Sequence, residues 1–200
     1  MKKICSFLFC ALTLFLLGCD SSTEKSQNPA QSNAPQLETG RFSLQKMIAP
    51  ARLWAGDALP IRMKSTTSKD SLGHDGKAAF WQALFASAAK QKMENFSWSG
   101  TPPRGVDHGT EDTFNSGNRS MQPFDLNFLK VDSDKAYQVA QEHGGKQLLA
   151  KNPNQEVFYL LDWDSRVSQL RWHVIYGGSE NSAQLTVIVD ASTGDFVHKE

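Results

Sequence analysis

The chain has 200 residues, 40% of them hydrophobic and 21% charged, and its 21 basic and 21 acidic side chains cancel formally. That balance argues against a nucleic-acid partner and against electrostatic attachment to a membrane surface, both of which draw on a basic surplus. The three cysteines, Cys5, Cys10 and Cys19, all lie near the amino terminus, so the rest of the chain carries no thiol nucleophile, thiolate metal site or internal disulfide.

Lys2 and Lys3 precede an uncharged, mostly apolar run from Ile4 to Leu17, and Gly18-Cys19 follows. The run has the length of a signal-peptide core and is short for a bilayer span. "LLGC", Leu16 to Cys19, resembles the lipobox of bacterial lipoproteins. The resemblance implies a signal peptide over residues 1–18, diacylglycerol on the Cys19 sulfur, and a further acyl group such as palmitate on the new amino terminus. Two or three chains anchor stably where one alone is marginal. Asp20 resembles the enterobacterial signal for retention at the inner membrane, which implies a cell-envelope protein on the periplasmic side. Removing residues 1–18 leaves 182 residues, and losing Lys2 and Lys3 takes the basic count from 21 to 19 against 21 acidic, a balance of −2.

Residues 19–37 read as the lipidated cysteine and a tether. Asp20 to Gln36, "DSSTEKSQNPAQSNAPQ", has no aromatic or large aliphatic residue and cannot bury a core. A flexible tether of that length spans roughly 20–25 Å.

Two halves follow, expected over 38–122 and 123–200. In the first, "LQKMIAPARLWAGDA" has helical spacing, with Pro50 kinking the helix or starting its second part. "ALPIRMKSTTS", "GKAAFWQALFAS" and "QKMENFSWSG" read as strands. Ser99 to Asp125 is rich in Gly, Pro, Asn and Ser and reads as mostly loop, long enough to mark a boundary or a functional excursion. In the second half Asp132 or Ser133 caps a helix that carries Ala136, Val139, Ala140 and His143 on one side and ends at Gly144-Gly145. "EVFYLLDW", "QLRWHVIYGG" and "AQLTVIVDASTGDFV" then alternate as strands, with a turn before Phe196. A helix followed by an antiparallel meander predicts an α+β layer with the helix on the apolar face. Trp81-x-Ala83-x-Phe85 matches Trp172-x-Val174-x-Tyr176, and Phe96 and Trp98 match Val187 and Val189, at a constant offset of 91. The two halves therefore read as tandem copies.

"SDKAYQVAQEHGG", "PNQEVFYLL", "RWHVIYG" and "LTVIVDASTGDFV", in that order, resemble the PepSY domain family over Leu129 to Lys199. The final hairpin is the distinctive part. The insertion between "DWDS" and "RWHV" departs from the family pattern, and the first half lacks the hairpin motif, so it resembles a degenerate second copy. The resemblance implies a non-enzymatic binding or inhibitory role in the bacterial envelope, including the modulation of peptidases, with another envelope protein as partner and no cofactor.

Asp190, Ser192, Asp195 and His198 could form a metal loop or a hydrolase fragment, but Gly194 and the turn-forming side chains favour a hairpin. "SAAK", Ser87 to Lys90, matches the S-x-x-K of penicillin-binding enzymes; the same pattern recurs at Ser22 to Lys25 and Ser43 to Lys46, and Ala191 stands where that mechanism needs a lysine. Asp107, His108, Glu111 and Asp112 form the one plausible set of metal ligands, weak beside the reading as a solvated acidic loop. A metal-dependent envelope enzyme built on them is the alternative function; a purely structural surface lipoprotein is the other. His143 suits a helix carboxyl end, while His74 and His198 have no evident partner. Trp81, Trp98, Trp163 and Trp172 fall on inward strand faces, and Trp54 is expected to pack. Arg171, His173, Ile175, Thr186 and Ile188 share the face opposite the core, and two isoleucines there suggest a partner surface or contact with the first half.

Overall fold

The computed structural model describes residues 33–200, so the signal peptide, Cys19 and most of the tether lie outside the described residues. Fourteen regular elements follow in chain order: β1 (Glu38–Thr39), α1 (Gly40–Trp54), β2 (Leu59–Thr66), β3 (Lys77–Ala78), β4 (Phe80–Ser87), β5 (Lys92–Ser99), β6 (Gly105–His108), β7 (Asp112–Thr113), α2 (Ser133–Ala140), α3 (Lys146–Lys151), β8 (Val157–Asp164), β9 (Gln169–Tyr176), β10 (Leu185–Asp190) and β11 (Phe196–Lys199). The architecture is α+β, with helices on one face of a long antiparallel meander.

The strands form one sheet in the order β11-β10-β9-β8-β2-β4-β5-β6, with β7 also paired to β5. The halves meet where β2 pairs antiparallel with β8, Arg62 opposite Asp162 and Met63 opposite Leu161. β1 and β3 pair separately.

Alternation makes the core. On β4, Trp81, Ala83 and Phe85 are buried toward the helices; on β9, Leu170, Trp172, Val174 and Tyr176 are. Helix α1 closes over them with a stripe of Leu44, Met47 and Ala51, fully buried at the i, i+3, i+7 spacing of one helical face. Pro50 lies inside α1 without interrupting that stripe. Trp81 and Trp172 meet edge to face, 6.3 Å between ring centroids. Each indole N–H donates to the carbonyl two residues ahead of its own half's helix, Glu38 and Val131, at 2.9 Å in both cases. This matched bonding gives the offset repeat a physical content.

The helix starts are shared between halves. Thr39, at the N-cap of α1, makes no side-chain cap bond, and the first turn has no acidic residue. Asp132 Oδ1 instead accepts from the backbone N–H of Arg41 at 2.8 Å while capping its own helix at Ser133 N, 2.7 Å. Ser133 Oγ, fully buried, accepts from Gly40 N at 2.8 Å and donates to Gly76 O at 2.6 Å. The second half thus satisfies the orphan donors of the first half's helix.

One expectation needs correction and another needs refinement. Gly144 does not end the helical run: at φ +125° it kinks the chain, which resumes as α3. A side chain at Gly145 would collide with the Tyr176 hydroxyl, so the kink region lies directly on the sheet. The Ser99–Asp125 stretch is mostly loop, as expected, but β6 and β7 within it add to the edge of β5. Beyond them the chain crosses the face away from the helices, where Phe114 and Met121 pack with Ile61, Leu84, Ala86 and Met93, and Phe124 N donates to Pro60 O at 2.9 Å.

Candidate functional site

On the second half, the sheet face away from the helices carries a cleft of about 420 Å³ lined by Arg171, His173, Ile188, Asp162, Asp164 and Arg119 among others. Strand alternation and register bring them together. Arg171 lies between Asp162 on β8 and Asp190 on β10; His173 lies between Leu160 and Ile188. Three of the five expected surface residues thus line one cavity.

Their exposure differs from expectation. Arg171, Ile175 and Ile188 are buried, at 7%, 3% and 1%, whereas His173 and Thr186 are half-buried. Ile188 has His173 and His198 as cross-strand neighbours, and Ile175 has Phe158 and Thr186. Directly opposed side chains stand within contact distance, so the isoleucines are covered by their cross-strand neighbours. The polar groups beside them line the cleft.

Those polar groups form two ion-pair chains. Arg62 reaches Glu180 at 3.2 Å and Asp162 at 3.7 Å, and Asp162 also holds His173 Nε2 at 3.0 Å. This chain bridges the β2–β8 seam. In the second, Asp164 takes both Arg171, at 2.8 Å, and the fork of Arg166, at 3.1 and 3.0 Å. Arg166 hydrogen bonding holds the Asp164 carboxyl down at about 2, against the desolvation that would raise it, so it stays ionised. Arg171 also donates to Gln169 at 3.0 Å, while its buried Nε has no partner. Arg62, Asp162, Asp164, Arg166 and Glu180 carried no motif in the sequence. Arg62 and Asp162, a hundred positions apart, meet only through the β2–β8 register, whereas Asp164 and Arg166 pair across two residues at the β8–β9 turn.

The four candidate metal ligands are each engaged with other partners. His108 Nδ1 meets Glu94 Oε1 at 2.6 Å, and that bond raises the imidazole's pKa. Glu111 accepts from the Trp54 indole at 2.7 Å and pairs with Lys90 at 3.5 Å. Asp107 and Asp112 accept from the neighbouring backbone N–H of His108 and Thr113. The four side chains diverge because two of them pin the β6–β7 edge to β5 and to the end of α1. Among the described residues no cluster of three or more His, Cys, Asp or Glu is placed to hold a metal.

The remaining candidates have structural partners. Ser87 Oγ donates to Asp57 at 2.6 Å and accepts from Lys90 N at 3.0 Å, closing the β4–β5 hairpin. Asp190 Oδ1 accepts from Ser192 N and Thr193 N, and Gly194 has φ +85°, so the carboxyl-terminal motif is a hairpin turn as expected. His74 meets Gln155 O at 2.6 Å, His143 stacks on Phe196 at 3.7 Å, and His198 meets Glu200 at 3.3 Å. Trp54 is half-buried, tilted against Phe96, with Lys90 over its ring. No helix among the described residues is long and apolar enough to cross a membrane.

No protein-family model matches the chain, and no curated protein matches it. Among solved structures, a protein of Clostridium difficile 630 provisionally described as a lipoprotein is similar in fold, with a TM-score of 0.54 at 12% identity, covering 79% of this chain and 91% of that one.

Proposed function

We propose that the protein is a lipid-anchored lipoprotein of the bacterial envelope, whose folded unit is a non-catalytic module that binds another envelope protein. The carrying observation is the ion-paired cleft on the helix-free face of the second half, where Arg171, His173 and Ile188 converge with Asp162 and Asp164. Mixed charge around a small apolar floor suits a protein surface, whose rim is polar and whose recognition depends on charge complementarity. The "LLGC" segment with Cys19 supports the anchor, and the tether gives the module reach. The similarity in fold to a protein described as a lipoprotein is compatible with this reading. The matched Trp81 and Trp172 bonding supports two tandem PepSY-like copies, with inhibition or modulation of a peptidase as the associated role. Asp20 favours the inner membrane, periplasmic side.

The test is photo-crosslinking in intact cells, with a benzoylphenylalanine placed in turn at Lys64, Arg119 and, on the helix side, Gln138. One shared adduct from the first two positions and none from Gln138 supports the reading. Equal adducts at all three positions, or none, refute it; the latter leaves a purely structural surface lipoprotein.

A further inference from the structure

The hairpin end of the cleft has a donor surplus. Arg119, Arg166 and Arg171 line it, and Asp164 is shared by Arg166 and Arg171. The other two carboxylates of the lining, Asp162 and Glu200, each already hold a histidine. Arg119 is exposed, and its guanidinium meets no acceptor among the described residues; only its backbone carbonyl is used, by Ser165 Oγ at 3.0 Å. Trp163 lines this cleft and a second one of about 440 Å³ beside it, which Arg119 also lines. Its indole N–H likewise meets no acceptor among the described residues and is not among the buried unsatisfied atoms. Phe128, 44% exposed, tilts against Trp163 at 5.1 Å, and Val167 at the hairpin tip is 51% exposed. Tryptophan and arginine with free donors, beside exposed apolar side chains, form the composition of an interface hot spot.

We propose that this end of the molecule receives an acidic, extended segment of the partner protein. A carboxylate of the segment would pair with Arg119 and a second acceptor would take the Trp163 N–H, while apolar side chains of the segment rest on Phe128 and Val167. Charge complementarity selects this occupant. Arg119 is the one charged side chain lining the second cleft, so a basic segment there is repelled and a neutral one leaves Arg119 without a counter-ion. The inference rests on the binding-module reading and specifies its partner.

The test uses the ¹⁵N-labelled full chain in detergent, observed through its indole and arginine Nε resonances. It is titrated with a short glutamate-and-phenylalanine peptide, with the same peptide carrying glutamine for glutamate, and with sodium acetate. The expected result is saturable movement of the Trp163 indole and Arg119 Nε signals with the acidic peptide, and about tenfold weaker binding in Arg119→Glu. The Trp81 and Trp172 indole signals should stay in place, reporting an intact core. Equal movement with the glutamine peptide, the same movement with acetate alone, no saturable movement, or undiminished binding by Arg119→Glu would overturn the proposal. Crosslinks at Lys64 that survive Arg119→Glu would keep the binding-module reading while this inference failed.

Discussion

Ser133→Ala should destabilise the whole folded unit, although it removes a single oxygen from the start of one short helix. The Ser133 hydroxyl accepts the first N–H of α1 at Gly40 and donates to Gly76 O, and it is fully buried. Without it, one backbone donor and one acceptor are left unpaired in a dry environment, at about 1–3 kcal/mol each. Partial relaxation brings the expected total to about 3 kcal/mol. For a unit of this size that corresponds to a fall in melting temperature of roughly 6–12 °C. Urea denaturation followed in parallel by far-ultraviolet circular dichroism and tryptophan fluorescence measures it. The two probes should remain coincident, because the lost bonds join the halves. A change below about 0.5 kcal/mol would refute the argument from shared capping. So would separate transitions for the two probes, since one half would then unfold alone.

Trp81→Phe and Trp172→Phe should cost similar amounts, about 1–2 kcal/mol each, because each strands one carbonyl ahead of a helix; a several-fold disparity in denaturation midpoints would break the equivalence of the halves. Asp164 is titrated below its ordinary value, so its stabilising contribution is present above the unfolded pKa, near 3.9, and is lost as pH falls toward 2. Solvent around Arg166 limits that contribution to about 1 kcal/mol, and Asp164→Asn should flatten the corresponding part of a stability–pH profile. His108 is shifted the other way by Glu94. Its contribution is fully present below the unfolded pKa and fades as pH rises through the folded one; an NMR titration should place its midpoint above about 6.5, and Glu94→Gln should bring it down.

Much of the scaffold was legible because alternation is a local property. Trp81, Ala83 and Phe85, or Leu170, Trp172 and Val174, announce both a strand and its inward face. The turn at Asp190 to Gly194 was equally legible, since its bonds join residues two or three apart. β6 was hidden because "GVDH" has no apolar alternation and takes strand form only by pairing with β5. Alternation also placed Ile175 and Ile188 on the helix-free face without revealing their burial, which depends on cross-strand neighbours fixed by register. The site suffered most from this. Its Arg62–Asp162–His173 chain exists because β2 lies beside β8, and nothing within either segment specifies that pairing. The helix cap is hidden for a related reason: Asp132 marks the start of its own helix, but its service to α1 joins residues 91 positions apart.

The crossing segment that packs Phe114 and Met121 covers the helix-free face of the first half and leaves that of the second half open. Along one continuous sheet, one plot is built over and the next stands vacant. Substitutions near Ile61 and Ala86 should consequently be filtered by folding. Substitutions at the cleft's solvent-facing Arg119 should leave folding untouched, so that position is free to vary with the role the cleft serves.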